Sequence, residues 1–178
     1  MKKQKIVITG GPGTGKSSII RQLEKHGHEC LHEISRQVTL EAQKQGIAQL
    51  FLEKPVLFSE KLLEGRKIQH READMIPTTT IFIDRGIPDV LAYMDYFKTE
   101  YSTYFIDACT EYTYDKIFFL PPWEEIYQSD NERYESFKEA SLISKYLFET
   151  YKTYGYNPIE VPKTSIIERT QFILNQIE

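Results

Sequence analysis

The chain has 178 residues, of which 22 are Lys or Arg and 26 are Asp or Glu, for a formal net charge of −4. That length suits one domain, residues 1–178, built on one sizeable core, and it argues against a large multi-domain machine. The mild acidity argues against a dedicated duplex-binding surface, which normally shows a clear basic excess, so no nucleic-acid partner is expected.

With 40% hydrophobic and 27% charged residues the composition is that of a soluble globular protein. The two cysteines, Cys30 and Cys109, lie far apart without a CxxC pattern, so no disulfide framework is indicated and a reducing, cytoplasmic setting is expected. The apolar run before the first glycines is too short for a signal-peptide core or a membrane span.

Ile6-Val7-Ile8, entering a glycine cluster, reads as a buried parallel strand. Ile19, Ile20 and Leu23 then recur at helical spacing up to Gly27. A short strand is expected over 28–32, a helix over 35–45 and a longer helix over 55–75. The β-branched run 78–83 closes on Asp84 as a third strand. Pro88 suits a first helical turn, with Val90, Leu91, Met94 and Phe97 on one stripe behind it.

A further helix is expected over 100–109, a fourth strand over 117–120, a polar stretch over 123–132 and a helix over 134–154. A fifth strand over 157–161 and a final helix over 162–177 complete the pattern. Strands alternating with helices imply a three-layer α/β domain with a mainly parallel sheet.

Gly10-Gly11-Pro12-Gly13-Thr14-Gly15-Lys16-Ser17 fits G-x-x-x-x-G-K-[ST] in full, directly after a strand and opening a helix. Gly11, Gly13, Thr14, Gly15, Lys16, Ser17 and Ser18 form the expected phosphate cradle, because a glycine-rich backbone turns successive N–H groups inward and the helix start adds its dipole. Lys16 would reach the β- and γ-phosphates of the nucleotide, and the Ser17 hydroxyl would ligate Mg²⁺. Asp84, at the carboxyl end of an apolar strand, is the second expected metal residue. Arg85 beside it can grip a phosphate or pair with Asp84 or Asp89, and Gly86 frees the backbone for a sharp turn.

Taken together, GGPGTGKS, HEISRQ, Gln69 in the long helix, FIDRGIPDVLAY, FFLPPW, Arg133 and YGYNPIEVP resemble the AAA-type predicted ATPases related to the ribosylnicotinamide kinase domain of bacterial NAD-biosynthesis proteins. The resemblance implies a nucleoside/nucleotide-kinase-like P-loop NTPase fold with strand order 2-3-1-4-5, and ATP with Mg²⁺ as phosphoryl donor. It implies that Glu33 stands near the phosphoryl-accepting hydroxyl as a catalytic base, the alternative being a helix N-terminal charge favoured by the dipole. It implies that Gln69 reads a base edge of the acceptor or makes a backbone contact, with Arg66 a second acceptor-site candidate. It also implies a lid-like segment at about 123–136 whose Arg133 closes on the transferring phosphoryl.

His28, Cys30 and His32 would share one face of the second strand, as a metal site or as the polar face of an edge strand. The function expected is a small-molecule kinase acting on a nucleoside-like hydroxyl, with Lys16, Glu33, Asp84, Arg85 and Arg133 in the chemistry. A nucleotide-dependent regulatory switch, binding ATP or GTP, is the alternative. No Asn-Lys-x-Asp guanine-specificity sequence occurs.

Overall fold

The computed structural model describes residues 3–128 and 135–177. Strand β1 (Gln4–Gly10) leads into helix α1 (Lys16–Lys25), and β2 (Glu29–Leu31) into α2 (Ser35–Lys44), the four-residue α3 (Leu50–Glu53) and α4 (Pro55–Met75). Strand β3 (Thr80–Asp84) precedes α5 (Ile87–Tyr96) and α6 (Thr103–Glu111). Strand β4 (Lys116–Leu120) is followed by a 3₁₀ turn (Glu124–Ile126), α7 (Phe137–Thr153), β5 (Ile159–Glu160) and α8 (Ile166–Asn175). All pairs are parallel and the order is β2-β3-β1-β4-β5, as the sequence led us to expect.

Alternation along β1 sorts the sheet into two faces. Ile6 and Ile8, with Phe82, Phe118 and Leu120, pack on Ile19, Ile20 and Leu23 of α1 and Ile173 of α8. Val7, Ile81, Ile83 and Ile117 face the other way, onto Ala73 of α4 and Tyr151 of α7. A separate cluster holds no strand residue: Val38 and Ala42 of α2, Leu50, Leu62 and Leu63, and Val90, Leu91 and Met94 of α5 meet Phe105 of α6. Each such buried aliphatic contributes about 1.5–3 kcal/mol of transfer free energy, so this cluster is a core in its own right.

The helix ends follow side-chain chemistry more closely than periodicity suggested. Helix α7 starts after Ser136, whose hydroxyl accepts from the Glu139 amide at 3.2 Å while Glu139 accepts from the Ser136 amide at 2.7 Å. Ser165 and Glu168 make the same reciprocal pair at the start of α8. Both helices therefore begin later than 134 and 162. Helix α3 has no counterpart in the periodicity, because four residues are too few to show a period.

Two parallel pairings set up the site. Ile8 of β1 lies beside Asp84 of β3, and the Arg85 amide extends that ladder to the Ile8 carbonyl at 3.0 Å. The loop after β1 and the turn after β3 therefore leave the sheet side by side.

Candidate functional site

The loop from Gly10 to Lys16 joins β1 to α1. Gly15 sits at φ 89°, a left-handed conformation that strains any side chain. No side chain caps α1 and its first turn has no acidic residue. Its leading amides have no intrahelical acceptor and carry the positive end of the helix dipole, a ready site for an anion.

The loop is braced from behind. The Thr14 hydroxyl donates to the Gly11 carbonyl at 3.0 Å, and the Thr14 carbonyl accepts from Arg169 Nη1 of α8 at 2.9 Å. Among the described residues the Lys16 ammonium has no hydrogen-bond or ion-pair partner. Burial, helped by Arg85, lowers its pKa to about 8 against the pull of Asp84, Glu33 and Asp89.

Asp84 faces it from the end of β3. Its Oδ1 is buried without a hydrogen-bond partner among the described residues, and burial raises the carboxyl's pKa although Lys16 and Arg85 oppose the shift. An orphaned carboxylate oxygen is costly unless something satisfies it, and a hard divalent cation takes oxygen ligands of this kind. The exposed Ser17 lines the same cleft. These residues fit Mg²⁺.

Next to Asp84 four charged side chains interlock. Glu33 Oε1 accepts from the Ile34 amide at 3.0 Å, the Ser35 amide at 3.1 Å and Arg66 Nη2 at 3.2 Å. Glu33 Oε2 meets Arg85 Nε at 2.7 Å. Burial pushes this carboxyl up, but Arg66, Arg85, the Ser35 amide and Lys16 outweigh it and hold the pKa at about 2. A carboxylate offers about four lone-pair sites, so Oε2 is the oxygen with capacity left for a ligand hydroxyl.

Arg85 also reaches Asp89 Oδ1 through Nη1 at 3.0 Å and lies 5.4 Å from the Tyr93 ring centroid. Its Nη2 has no protein partner among the described residues. Arg66, 4% exposed, spends Nη1 on the Gly86 carbonyl at 2.9 Å. The Gly86 reading needs correcting. Gly86 has an ordinary φ of −107°, and it is Arg85 that takes the left-handed turn, at φ 71°.

The cleft, about 450 Å³, runs from Gly13, Lys16 and Ser17 past this cluster to an apolar end. There Phe51 of α3 meets Phe58 of α4 and Phe97 edge-on, at centroid distances of 5.5 and 5.0 Å. Leu62, Val90, Tyr93 and Met94 complete the wall, with Ser59 and Thr99 as polar spots.

Of the residues singled out in the sequence, Gly13, Lys16, Ser17, Glu33, Arg66, Asp84 and Arg85 converge on this cleft. Gly11, Thr14, Gly15 and Ser18 belong to the loop and the start of α1 without lining the cleft, and Gly11 is pressed against Ser144 of α7. Gln69 stands outside it. Its Nε2 donates to the His32 carbonyl at 2.6 Å and it lines a different groove, between α2 and α4, so the backbone contact is the one made. Arg133 lies outside the described residues.

His28, Cys30 and His32 do lie on or beside the edge strand β2, each with its own neighbour. The His28 ring meets Phe82 at 5.4 Å, Cys30 Sγ approaches the Ile20 carbonyl at 3.9 Å, and His32 pairs with Glu24 at 2.6 Å. Burial raises the Cys30 thiol to about 12, and no cluster of His, Cys, Asp or Glu suited to a metal occurs among the described residues. Both cysteines are free thiols.

The sequence reading missed the aromatic end and the hub role of Asp89. Asp89 left one signal: it stands three residues past Gly86, where a carboxylate can accept the amide that opens a helix. The Phe51 contribution left none, because α3 itself was not visible.

A three-layer fold with strand order 2-3-1-4-5 and a glycine-rich phosphate loop after the first strand defines a kinase-like P-loop protein. Residues 5–169 match the AAA domain family, and the chain belongs to it. No curated protein matches the sequence.

Among solved structures, a deoxyadenosine kinase from M. mycoides with the products dCMP and a flexible dCDP shares 19% identity, with 98% of each chain covered and a TM-score of 0.73. NadR in complex with NR shares 14% identity over 98% of this chain and 50% of that one, at a TM-score of 0.74. Thymidylate kinase from Candida albicans shares 16% identity over 99% of this chain and 91% of that one, at 0.71. At these identities the likeness establishes the fold. No helix among the described residues is long and apolar enough to cross a membrane.

Proposed function

We propose that the protein is a P-loop phosphotransferase that moves the γ-phosphoryl of Mg-ATP to the hydroxyl of an uncharged small molecule. One observation carries this reading: a single cleft joins Lys16, unpaired among the described residues at an uncapped helix start, to a second, aromatic-walled compartment across the Asp84–Arg85 turn. A nucleotide switch needs the first compartment only. The names of the similar structures, which include deoxyadenosine and thymidylate kinases, favour the same class.

The cleft's charges favour an uncharged acceptor. Among the described lining residues the cations Lys16, Arg66 and Arg85 stand against the carboxylates Glu33, Asp84, Asp89 and Glu135. Both guanidiniums already have protein counterions, leaving Lys16 for the donor's phosphates. An acceptor that itself carried a phosphate dianion would bring charge that these residues do not balance.

Asp84 and Ser17 would hold Mg²⁺, which neutralises charge developing on the transferred phosphoryl and its leaving group. Glu33 Oε2 would accept the acceptor's hydroxyl and orient it. A carboxylate held at about 2 is a weak base, yet a loose phosphoryl-transfer transition state needs positioning more than early proton removal. The free Nη2 of Arg85 would stabilise the oxygens in transit. Of the expected lid-like segment 123–136, Glu135 lines the cleft, while Arg133 lies outside the described residues.

The test is ADP release by the purified protein with Mg-ATP and a panel of nucleosides, other ring-bearing alcohols and their monophosphates. Stimulation of tenfold or more by an uncharged acceptor supports the reading. Slow hydrolysis that no acceptor changes would contradict it.

A further inference from the structure

The turn after β3 is held with unusual completeness. Arg85, at φ 71°, is a non-glycine residue in a left-handed conformation, which persists only where its surroundings over-determine it. Its neighbours supply that determination. The Arg85 amide is held by the Ile8 carbonyl, and the Gly86 amide donates to Asp89 Oδ2 at 3.0 Å and to the Tyr151 hydroxyl at 3.2 Å. The Gly86 carbonyl accepts from Arg66, and the Ile87 amide donates to the Tyr114 hydroxyl at 3.1 Å. A Cβ on Gly86 would come within 2.6 Å of the Tyr151 oxygen, so the glycine is needed for that close approach.

Asp89 is the centre of this arrangement, with no exposed surface. Its Oδ1 accepts from the Thr9 hydroxyl of β1 at 2.7 Å and from Arg85 Nη1; its Oδ2 accepts from the Gly86 amide and the Tyr151 hydroxyl of α7. Four donors from β1, the turn and α7 thus meet one buried carboxylate. A carboxylate desolvated to this degree is tolerated only when its lone pairs are fully used, as they are here. Through Asp89 and Glu33, Arg85, which lines the cleft, has two of its nitrogens anchored and one, Nη2, without a partner among the described residues.

We infer that Asp89 is a positioning residue: by gathering Thr9, Tyr151 and the Gly86 amide it fixes Arg85 in its left-handed turn, so that one guanidinium nitrogen is presented to the transferring phosphoryl. This rests on the kinase reading of the cleft. Tyr151 adds a link to α7, so that the arginine's geometry and the seat of that helix are set by the same carboxylate.

The test combines kinetics with a readout that needs no turnover. In Asp89→Asn the shape is kept while the counter-charge for Arg85 is lost; Tyr151→Phe removes a single donor and serves if the first variant does not fold. Expected are a 10- to 100-fold lower kcat for Asp89→Asn, a smaller fall for Tyr151→Phe, and a KM for ATP within twofold of the parent. Arg85→Lys combined with Asp89→Asn should be no slower than the slower single variant, because both disturb one group.

The ¹⁵N-detected Arg85 Nε–H signal, assigned by its disappearance in Arg85→Lys, should be exchange-protected in the parent and lose that protection in Asp89→Asn or Tyr151→Phe. A folded Asp89→Asn with parental kcat, multiplicative effects in the double variant, or an Arg85 signal unchanged in both single variants would overturn the inference. If the parent transfers no phosphoryl to any acceptor, the kinase reading fails, and the Nε–H measurement alone decides whether Asp89 fixes Arg85.

Discussion

The two ends of the cleft are built in opposite ways. At the phosphate end the protein leaves its charge uncommitted: Lys16 has no partner among the described residues, Asp84 Oδ1 has none, and the start of α1 is uncapped. At the acceptor end nearly every charge is already spent, Arg66 and Arg85 on Glu33, Asp89 and the Gly86 carbonyl. The first end waits for a polyanion and its cation. On the proposed reading the second takes a ligand that brings a hydroxyl and apolar surface but no charge, since spare electrostatics there would bind the wrong partner.

This contrast can be broken first at its charged end. Lys16→Ala removes the one cation among the described cleft-lining residues that has no protein partner, and turnover should fall by ~100-fold or more, as for loss of a key transition-state donor. A steady-state assay that finds parental turnover in this variant would show that phosphates bind elsewhere.

Glu33→Gln attacks the boundary between the ends. It leaves Arg66 and Arg85 without a shared counterion and replaces the carboxylate proposed to orient the acceptor's hydroxyl by a neutral amide, so kcat should fall by ~10- to 100-fold. Equal rates for parent and variant would remove Glu33 from the chemistry.

The uncommitted lysine also predicts a pH dependence. With its pKa lowered to about 8, Lys16 in the free protein loses its proton as pH rises through that value, whereas bound phosphates favour the ammonium. Binding then takes up a proton, and the affinity for ATP should fall by up to about tenfold per pH unit above pH 8 while staying flat below pH 7. Calorimetric titration at pH 7, 8 and 9 in buffers of different ionisation enthalpy measures both quantities. Equal affinity at all three would contradict the lysine's assignment.

The smallest effect belongs to the apolar end. Phe51 is 37% exposed at the rim, so Phe51→Ala should raise the acceptor's KM by only ~3- to 10-fold, the scale of losing part of an aromatic contact, and leave the KM for ATP unchanged. A raised KM for ATP instead would mean that the aromatic wall does not serve the acceptor.

The same contrast explains what could be read from the sequence. The phosphate end comes from one contiguous run, Gly10 to Ser17, whose spacing is dictated by backbone wrapping a phosphate. Asp84 and Arg85 could be placed because an apolar strand ends on them. The charged cluster beyond it is assembled from Glu33, Arg66 and Asp89 on separate elements, with Tyr151 holding Asp89 from behind, and is joined only when the sheet aligns β1 with β3 and α7 packs against it. Gln69 shows the limit of facial reasoning. Its place on the buried side of α4 was legible, but whether that side meets the cleft or the end of β2 depends on how α4 lies over the sheet, and it meets His32. Arg66, one turn earlier and ranked below it, is the residue that reaches the cleft.

The central claim is transfer of a phosphoryl group to an uncharged hydroxyl held in the aromatic compartment. It is tested most directly by ³¹P NMR of the purified protein with Mg-ATP and matched pairs of acceptors, each nucleoside or ring-bearing alcohol beside its own monophosphate, with Lys16→Ala as the blank. The account predicts a new phosphomonoester signal, growing in step with ADP, for at least one uncharged acceptor and for none of its phosphorylated counterparts. Transfer confined to the monophosphates, seen as a new diphosphate signal, would contradict the charge argument. Release of inorganic phosphate alone would contradict the kinase reading itself.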